Sequence, residues 1–89
     1  MKLNKSIIVV TGGASGIGKA LVRQFSSEGA TVIIADINVE SAVELGKEVG
    51  GLGVFCDVRI EQSIIDLVKV VTEKFYKIDI FCSNAGVLF

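Results

Sequence analysis

The amino-acid sequence predicts an α/β fold, a doubly wound parallel sheet of about four strands in the order 3-2-1-4 that carries three helices. Two observations predict it. Apolar, β-branched runs recur without polar alternation, as in strands buried on both faces, and each of the first three is followed by a segment of helical periodicity. Right-handed crossovers between parallel strands then favour winding outward from the first strand in both directions.

The first strand is expected over residues 6–11, on Ile7, Ile8, Val9 and Val10. A helix follows through Lys19 and Phe25, with Ile17, Leu21 and Phe25 spaced four apart on one face and Gly29 placed to end it. Residues 31–36 form the second strand. Asn38 is a good N-cap for a helix carrying Ala42, Leu45 and Val49, and Gly50-Gly51 breaks that helix. Residues 52–56 make a short third strand, Ile64, Val68, Val71 and Phe75 stripe a third helix, and residues 78–82 form a fourth strand. In the order 3-2-1-4 the third and fourth strands lie about 14 Å apart. Cys56 and Cys82 therefore cannot be bridged, since a disulfide needs Cα atoms within about 7 Å.

Eighty-nine residues allow one small domain, and 51% of them are hydrophobic. A chain of this length buries only about 60–65% of the surface that its unfolded form exposes. The high apolar fraction implies that some of this surface is meant to be covered by something further. Net charge is −1 with the signs interspersed, which argues against a nucleic-acid face or a charged interaction arm. The four apolar residues after the N-terminal lysines are too few for a signal peptide, and no run approaches the roughly eighteen of a membrane span. A cytoplasmic protein is expected. The two cysteines fit that compartment as small core residues, and with no histidine a metal site is not expected.

Chemistry begins at residues 11–18, Thr-Gly-Gly-Ala-Ser-Gly-Ile-Gly, between the first strand and the first helix. Gly12 lets the backbone leave the strand through a conformation closed to other residues. Gly16 leaves no Cβ between the main chain and a pyrophosphate, and Gly18 lets the helix pack closely. The helix is expected to start near Ile17, just after Ser15 and Gly16, so its first N–H groups and positive dipole end face a negatively charged ligand. A tight turn without a ligand would use the same glycines; the strand ends decide between the two.

Ligands of such sheets sit beyond the carboxyl ends of the strands, where strand order reverses. Asp36, Asp57 and Asn84 all fall at or just past such ends. Asp36 lies 18 residues after Gly18, close to the spacing at which a carboxylate meets ribose hydroxyls. It would accept from both hydroxyls and repel a 2′-phosphate, favouring NAD over NADP. As bland alternatives, Asp36 opens the turn through Ile37 and Asn38, Asp57 caps the third helix, and Asn84-Ala85-Gly86 is a plain turn.

Together these residues resemble the short-chain dehydrogenase/reductase family over essentially the whole chain. Thr11-Gly12-x-x-x-Gly16-Ile17-Gly18 is similar to its cofactor loop, and Asp36 sits at its ribose-selecting position. Asp57-Val58 resembles the pair that contacts adenine, the carboxylate taking the amino group and Val58 offering backbone contact. Ser83-Asn84-Ala85-Gly86 is similar to the family's Asn-Asn-Ala-Gly beside the cofactor, with a mild departure at Ser83. The resemblance implies a Rossmann-type fold, here truncated, with residues 1–89 as the NAD-binding half-domain and the catalytic half absent. The family exchanges hydride between nicotinamide and an alcohol or carbonyl substrate through a serine, a Tyr-x-x-x-Lys pair and a helix asparagine, all downstream of the matched segment. It also implies a homo-oligomer in the complete enzyme, built mainly from downstream helices.

No catalytic residue is expected in this chain. Tyr76 has Ile80 rather than lysine four residues on, and Asn84 belongs to the turn motif. The isolated chain is expected to be inactive, and to self-associate through an apolar fourth-strand edge carrying Ile78, Ile80 and Phe81. A nucleoside-triphosphatase fragment is one alternative, since Gly13 to Lys19 fits G-x-x-x-x-G-K, but Ala20 stands where a hydroxyl should meet magnesium. A nucleotide-binding module that never had a catalytic half is another.

Overall fold

A computed structural model describes residues 4–84. The elements are β1 (Ile7–Thr11), α1 (Gly16–Ser27), β2 (Thr31–Asp36), α2 (Val39–Val49), β3 (Leu52–Phe55), α3 (Glu61–Phe75) and β4 (Ile80–Ser83). All strand pairs are parallel, and the sheet order is β3-β2-β1-β4, as the sequence predicts. Thr11 is level with Ala35 on one side and Ser83 on the other, so the carboxyl ends of three strands form one rim.

Alternate residues of β1 and β2 feed two cores. Ile8, Val10, Val32 and Ile34 pack with Val22 of α1 and with Ala42 and Leu45 of α2. Ile7, Val9, Ile33 and Ala35 pack with Cys56 and with Leu67 and Val71 of α3. A strand with apolar side chains on both faces needs a cover on both, which is why these runs show no polar alternation. Cys56 is buried, Cys82 is half-buried, and both are free thiols.

Two helix faces differ from the sequence expectation. In α1 the sheet-facing residues are Gly18 and Val22, with Phe25 packed beside them, while Ile17 is 75% exposed. The helix turns its glycine to the sheet because a Cβ at position 18 would strike the carbonyl oxygen of Gly12. In α3 the buried stripe runs through Ile64, Leu67, Val71 and Phe75, so Leu67 takes the place assigned to Val68. The helix α2 also lies backbone to backbone on β3. A Cβ on Gly53 would overlap the main chain of Ala42, and one on Gly46 would come within 3.0 Å of the Gly53 nitrogen.

The fourth strand starts two residues later than residues 78–82 suggest, because Asp79 serves as a staple. Its Oδ2 accepts from the Ile7 backbone N–H at 2.7 Å, and its own N–H donates to the Ile7 carbonyl at 2.8 Å. Lys77 Nζ lies 3.1 Å from the same carboxylate oxygen. The Ile7 N–H, with help from Lys77, holds the Asp79 carboxyl below its ordinary range. A depressed folded-state value contributes stability above the unfolded carboxylate pKa of about 4, and this is lost as pH falls through the folded value. Asp79→Asn is therefore expected to flatten the loss of stability on acidification below about pH 5. Urea unfolding at several pH values checks it; an unchanged slope refutes the staple.

Tyr76 closes α3 in the left-handed region, at φ 71°, with its side chain 88% exposed. A Cβ in that region costs roughly 1–2 kcal/mol, and the exposed ring recovers little of it by packing. Tyr76→Gly is expected to stabilise the fold by about 0.5–1 kcal/mol, read as a higher urea midpoint at unchanged slope.

Candidate cofactor site

The loop between β1 and α1 leaves the sheet at Gly12, whose φ of 67° favours glycine. Its N–H donates to the Ala35 carbonyl at 2.7 Å, which ties the loop to β2. At Gly16 a Cβ would meet nothing within 4 Å, so the main chain there borders open space. Ser15 is the N-cap residue, exposed and without a side-chain capping bond, and the first turn of α1 carries no acidic residue. The Lys19 N–H reaches back to the Ser15 carbonyl at 3.3 Å. The N–H groups before Lys19 thus form a positive helix end with no carboxylate of its own turn against it, a surface that fits a phosphate group. This is the feature that a dinucleotide requires.

The structure brings Asp36 against the same loop. Its Oδ2 accepts from the Ala14 N–H at 3.1 Å, and its Oδ1 accepts from the Asn38 N–H at 2.9 Å. Asn38 in turn caps α2 by accepting from Ser41 N–H at 3.2 Å. The carboxylate thereby joins the glycine loop to the end of β2 and the start of α2, and each oxygen keeps a second lone pair for a ligand hydroxyl. Ile37, the next residue, is 54% exposed at the rim.

Asn84 closes the other side. Its backbone N–H donates to Thr11 Oγ1 at 3.1 Å and its side-chain Nδ2 donates to the Gly12 carbonyl at 3.2 Å. The residue following β4 therefore braces the turn at which the loop begins. Thr11, fully buried, stands in the sequence only as the first residue of the glycine motif, and its supporting role appears with the fold. Ala85 and Gly86 lie outside the described residues.

Asp57 follows β3 and is 7% exposed. It does not cap α3, whose N-cap residue is Ile60. Its Oδ1 accepts from the Arg59 backbone N–H at 3.0 Å and from Arg59 Nε at 2.9 Å, and its Oδ2 accepts from Arg59 Nη2 at 2.8 Å. The Arg59 side-chain and backbone bonds hold the Asp57 carboxyl below the usual carboxylate range. Val58, half-buried, packs on the α3 core beside it. Arg59 escaped the sequence reading, although an arginine two residues after a strand-end aspartate is the signal that finds it.

A separate cleft of about 190 Å³ lies between α1 and α2, lined by Ala14, Lys19, Ser41, Glu44, Leu45 and Glu48. It contains neither Asp57 nor Asn84, and it places Lys19 among carboxylates. Among the described residues no group of three or more His, Cys, Asp or Glu side chains is arranged to hold a metal. The carboxylates around Lys19 do not favour a triphosphate in this cleft. No helix among the described residues is long and apolar enough to cross a membrane.

A parallel, doubly wound sheet with a glycine loop after its first strand and carboxylates at the ends of the neighbouring strands defines a Rossmann-type domain. The chain belongs to the short chain dehydrogenase family, whose model matches residues 6–88. It is 41% identical to Short-chain dehydrogenase reductase 3a of Arabidopsis thaliana, over 99% of this chain and 35% of that protein. It is 40% identical to the mitochondrial borneol dehydrogenase of Lavandula x intermedia, over 97% of this chain and 33% of that one. Among solved structures it is similar to a hydroxysteroid dehydrogenase from Escherichia coli, with a TM-score of 0.90, 31% identity, and coverage of 96% of this chain and 37% of the other. A second similar structure is a 3-ketoacyl-(acyl-carrier-protein) reductase from Brucella melitensis complexed with NADH. There the TM-score is 0.86 with 29% identity, covering 90% of this chain and 34% of that one. The chain thus spans about a third of the length of the relatives it matches.

Proposed function

We propose that this chain is the NAD-binding portion of an oxidoreductase that exchanges hydride between a nicotinamide cofactor and an alcohol or carbonyl substrate. The observation that carries the reading is the junction of the glycine loop with Asp36: a positive helix end without an acid of its own, fastened to a carboxylate at the next strand end. Gly12, Ser15, Gly16, Ile17 and Gly18 would hold the pyrophosphate through backbone N–H groups and the Ser15 hydroxyl. Asp36, with Ile37 beside it, would receive the adenosine ribose, and its charge would disfavour a 2′-phosphate. Asp57 and Val58 would meet the adenine, and Asn84, Ala85 and Gly86 would steady the sheet beside the cofactor. A nicotinamide group supplies the hydride chemistry when bound.

We assign no catalytic residue to this chain. Tyr76 lies at the end of α3, beside the amino ends of the strands and so at the opposite edge of the sheet from the glycine loop. Hydride exchange with a carbonyl also needs a proton donor at the substrate oxygen, and the isolated chain is expected to show no turnover. The proposal includes a cytoplasmic compartment, supported by the two free thiols, and a homo-oligomeric complete enzyme, supported by the family.

Calorimetric titration of the chain with NADH, NADPH and Mg-ATP in parallel tests the reading. Saturable NADH binding, weaker NADPH binding and no ATP binding are expected. Magnesium-dependent ATP binding, or failure to bind either dinucleotide, overturns it.

A further inference from the structure

We propose that Arg59 is a positioning residue for the adenine end of the cofactor, locking the Asp57 carboxylate in one orientation with a single acceptor position left for the adenine amino group. The inference rests on the reading of Asp57 given above and goes beyond it by assigning the group that makes Asp57 a directional acceptor.

The geometry counts out the lone pairs. Among the described residues, Oδ1 takes two donors, the Arg59 backbone N–H at 3.0 Å and Nε at 2.9 Å, which fills its capacity. Oδ2 takes one, Nη2 at 2.8 Å, and keeps one lone pair. The guanidinium is planar and meets the carboxylate as a fork, so this pairing fixes the carboxylate plane, which a lysine or a lone backbone N–H would leave free to rotate. The backbone on either side is fixed as well. Asp57 N–H donates to Ser63 Oγ at 2.9 Å, and Ile60 N–H donates to the Asp57 carbonyl at 3.0 Å, closing a turn with Arg59 inside it.

The exposures assign the roles. The Asp57 side chain is 10% exposed and that of Arg59 78% exposed. Solvent screens the guanidinium end of the pair, whereas the carboxylate it neutralises is nearly covered, so the fork also offsets the cost of covering that charge. A fork made from outside by an exposed guanidinium, at a strand end on the rim, also sets the orientation of the carboxylate it covers. The same pairing lowers the Asp57 carboxyl's affinity for a proton, which keeps it an acceptor.

The test compares reduced NADH with its hypoxanthine analogue, in which a carbonyl oxygen replaces the amino donor and N1 becomes a donor. The wild-type chain is expected to bind NADH about tenfold more tightly than the analogue, the scale of one hydrogen bond to a charged group. Arg59→Gln keeps the backbone bond and removes the fork, and it is expected to shrink that preference to about twofold. Arg59→Lys should restore only part of it, since an ammonium makes no fork. The thermal midpoint of Arg59→Gln should fall by about 4–8 °C, because a nearly covered carboxylate loses two donors, so the preference is read well below that midpoint. If the wild type fails to prefer NADH over the analogue, the adenine reading of Asp57 falls and this inference with it. If the wild type prefers NADH and Arg59→Gln keeps the full preference, the adenine reading stands and Arg59 has no positioning role.

Discussion

Gly18→Ala is expected to cost about 2–3 kcal/mol of stability and to reduce NADH affinity by about a hundredfold, the larger part of this through displacement of the loop. The added Cβ would strike the Gly12 carbonyl oxygen and stand 2.7 Å from Asn84 Nδ2. Neither can yield cheaply. The Gly12 carbonyl is backbone, and its N–H is held by Ala35; the Asn84 amide is the donor that satisfies this same carbonyl at 3.2 Å. One methyl group therefore forces α1 away from the sheet and breaks the brace between β4 and the loop. Val22, one turn further along α1 and fully buried, would be lifted from the core with it. Urea unfolding and calorimetry read the two effects. A variant with wild-type midpoint and wild-type affinity would show that the close approach at Gly18 is not a constraint.

Asp36→Ala separates the two tasks of that carboxylate. Losing the acceptor for the Ala14 and Asn38 N–H groups should cost about 1 kcal/mol, since both donors lie where water can replace part of the bond. The effect on binding should be larger. NADH affinity is expected to fall by ten- to a hundredfold, as the charged acceptor for ribose hydroxyls disappears. NADPH affinity should hold or rise, because the repulsion of its 2′-phosphate disappears at the same time. The NADH preference therefore collapses while the fold survives. If titrations show both dinucleotides weakened equally, Asp36 acts only as a tie for the loop and the NAD preference has another source.

The fold class, the strand order and the rim on which the candidate site lies were legible in the sequence. The reason is that each rests on local pattern. Four apolar residues from Ile7 to Val10 mark a strand covered on both faces, Asn38 marks a helix start, and Gly12, Gly16 and Gly18 mark a loop whose backbone must pass close to something. Strand-end positions follow from element boundaries alone, which is why Asp36, Asp57 and Asn84 could be named as a set before their distances were known.

The tertiary structure decided what those residues hold. Asp36 takes an N–H 22 positions away in the chain, Asp79 staples an N–H 72 away, and Asn84 braces a carbonyl 72 away. Such partners are set by register between strands distant in sequence, and no local periodicity reports them. The face of α1 was decided in the same way. Ile17, Leu21 and Phe25 make an acceptable stripe by spacing, but Gly18 is the residue that can approach the Gly12 carbonyl, and the helix is rotated to suit that contact. Apolar spacing measures how much a face gains by burial, whereas a backbone-to-backbone contact depends on where a Cβ is missing; where the two disagree, steric exclusion sets the rotation and burial follows it.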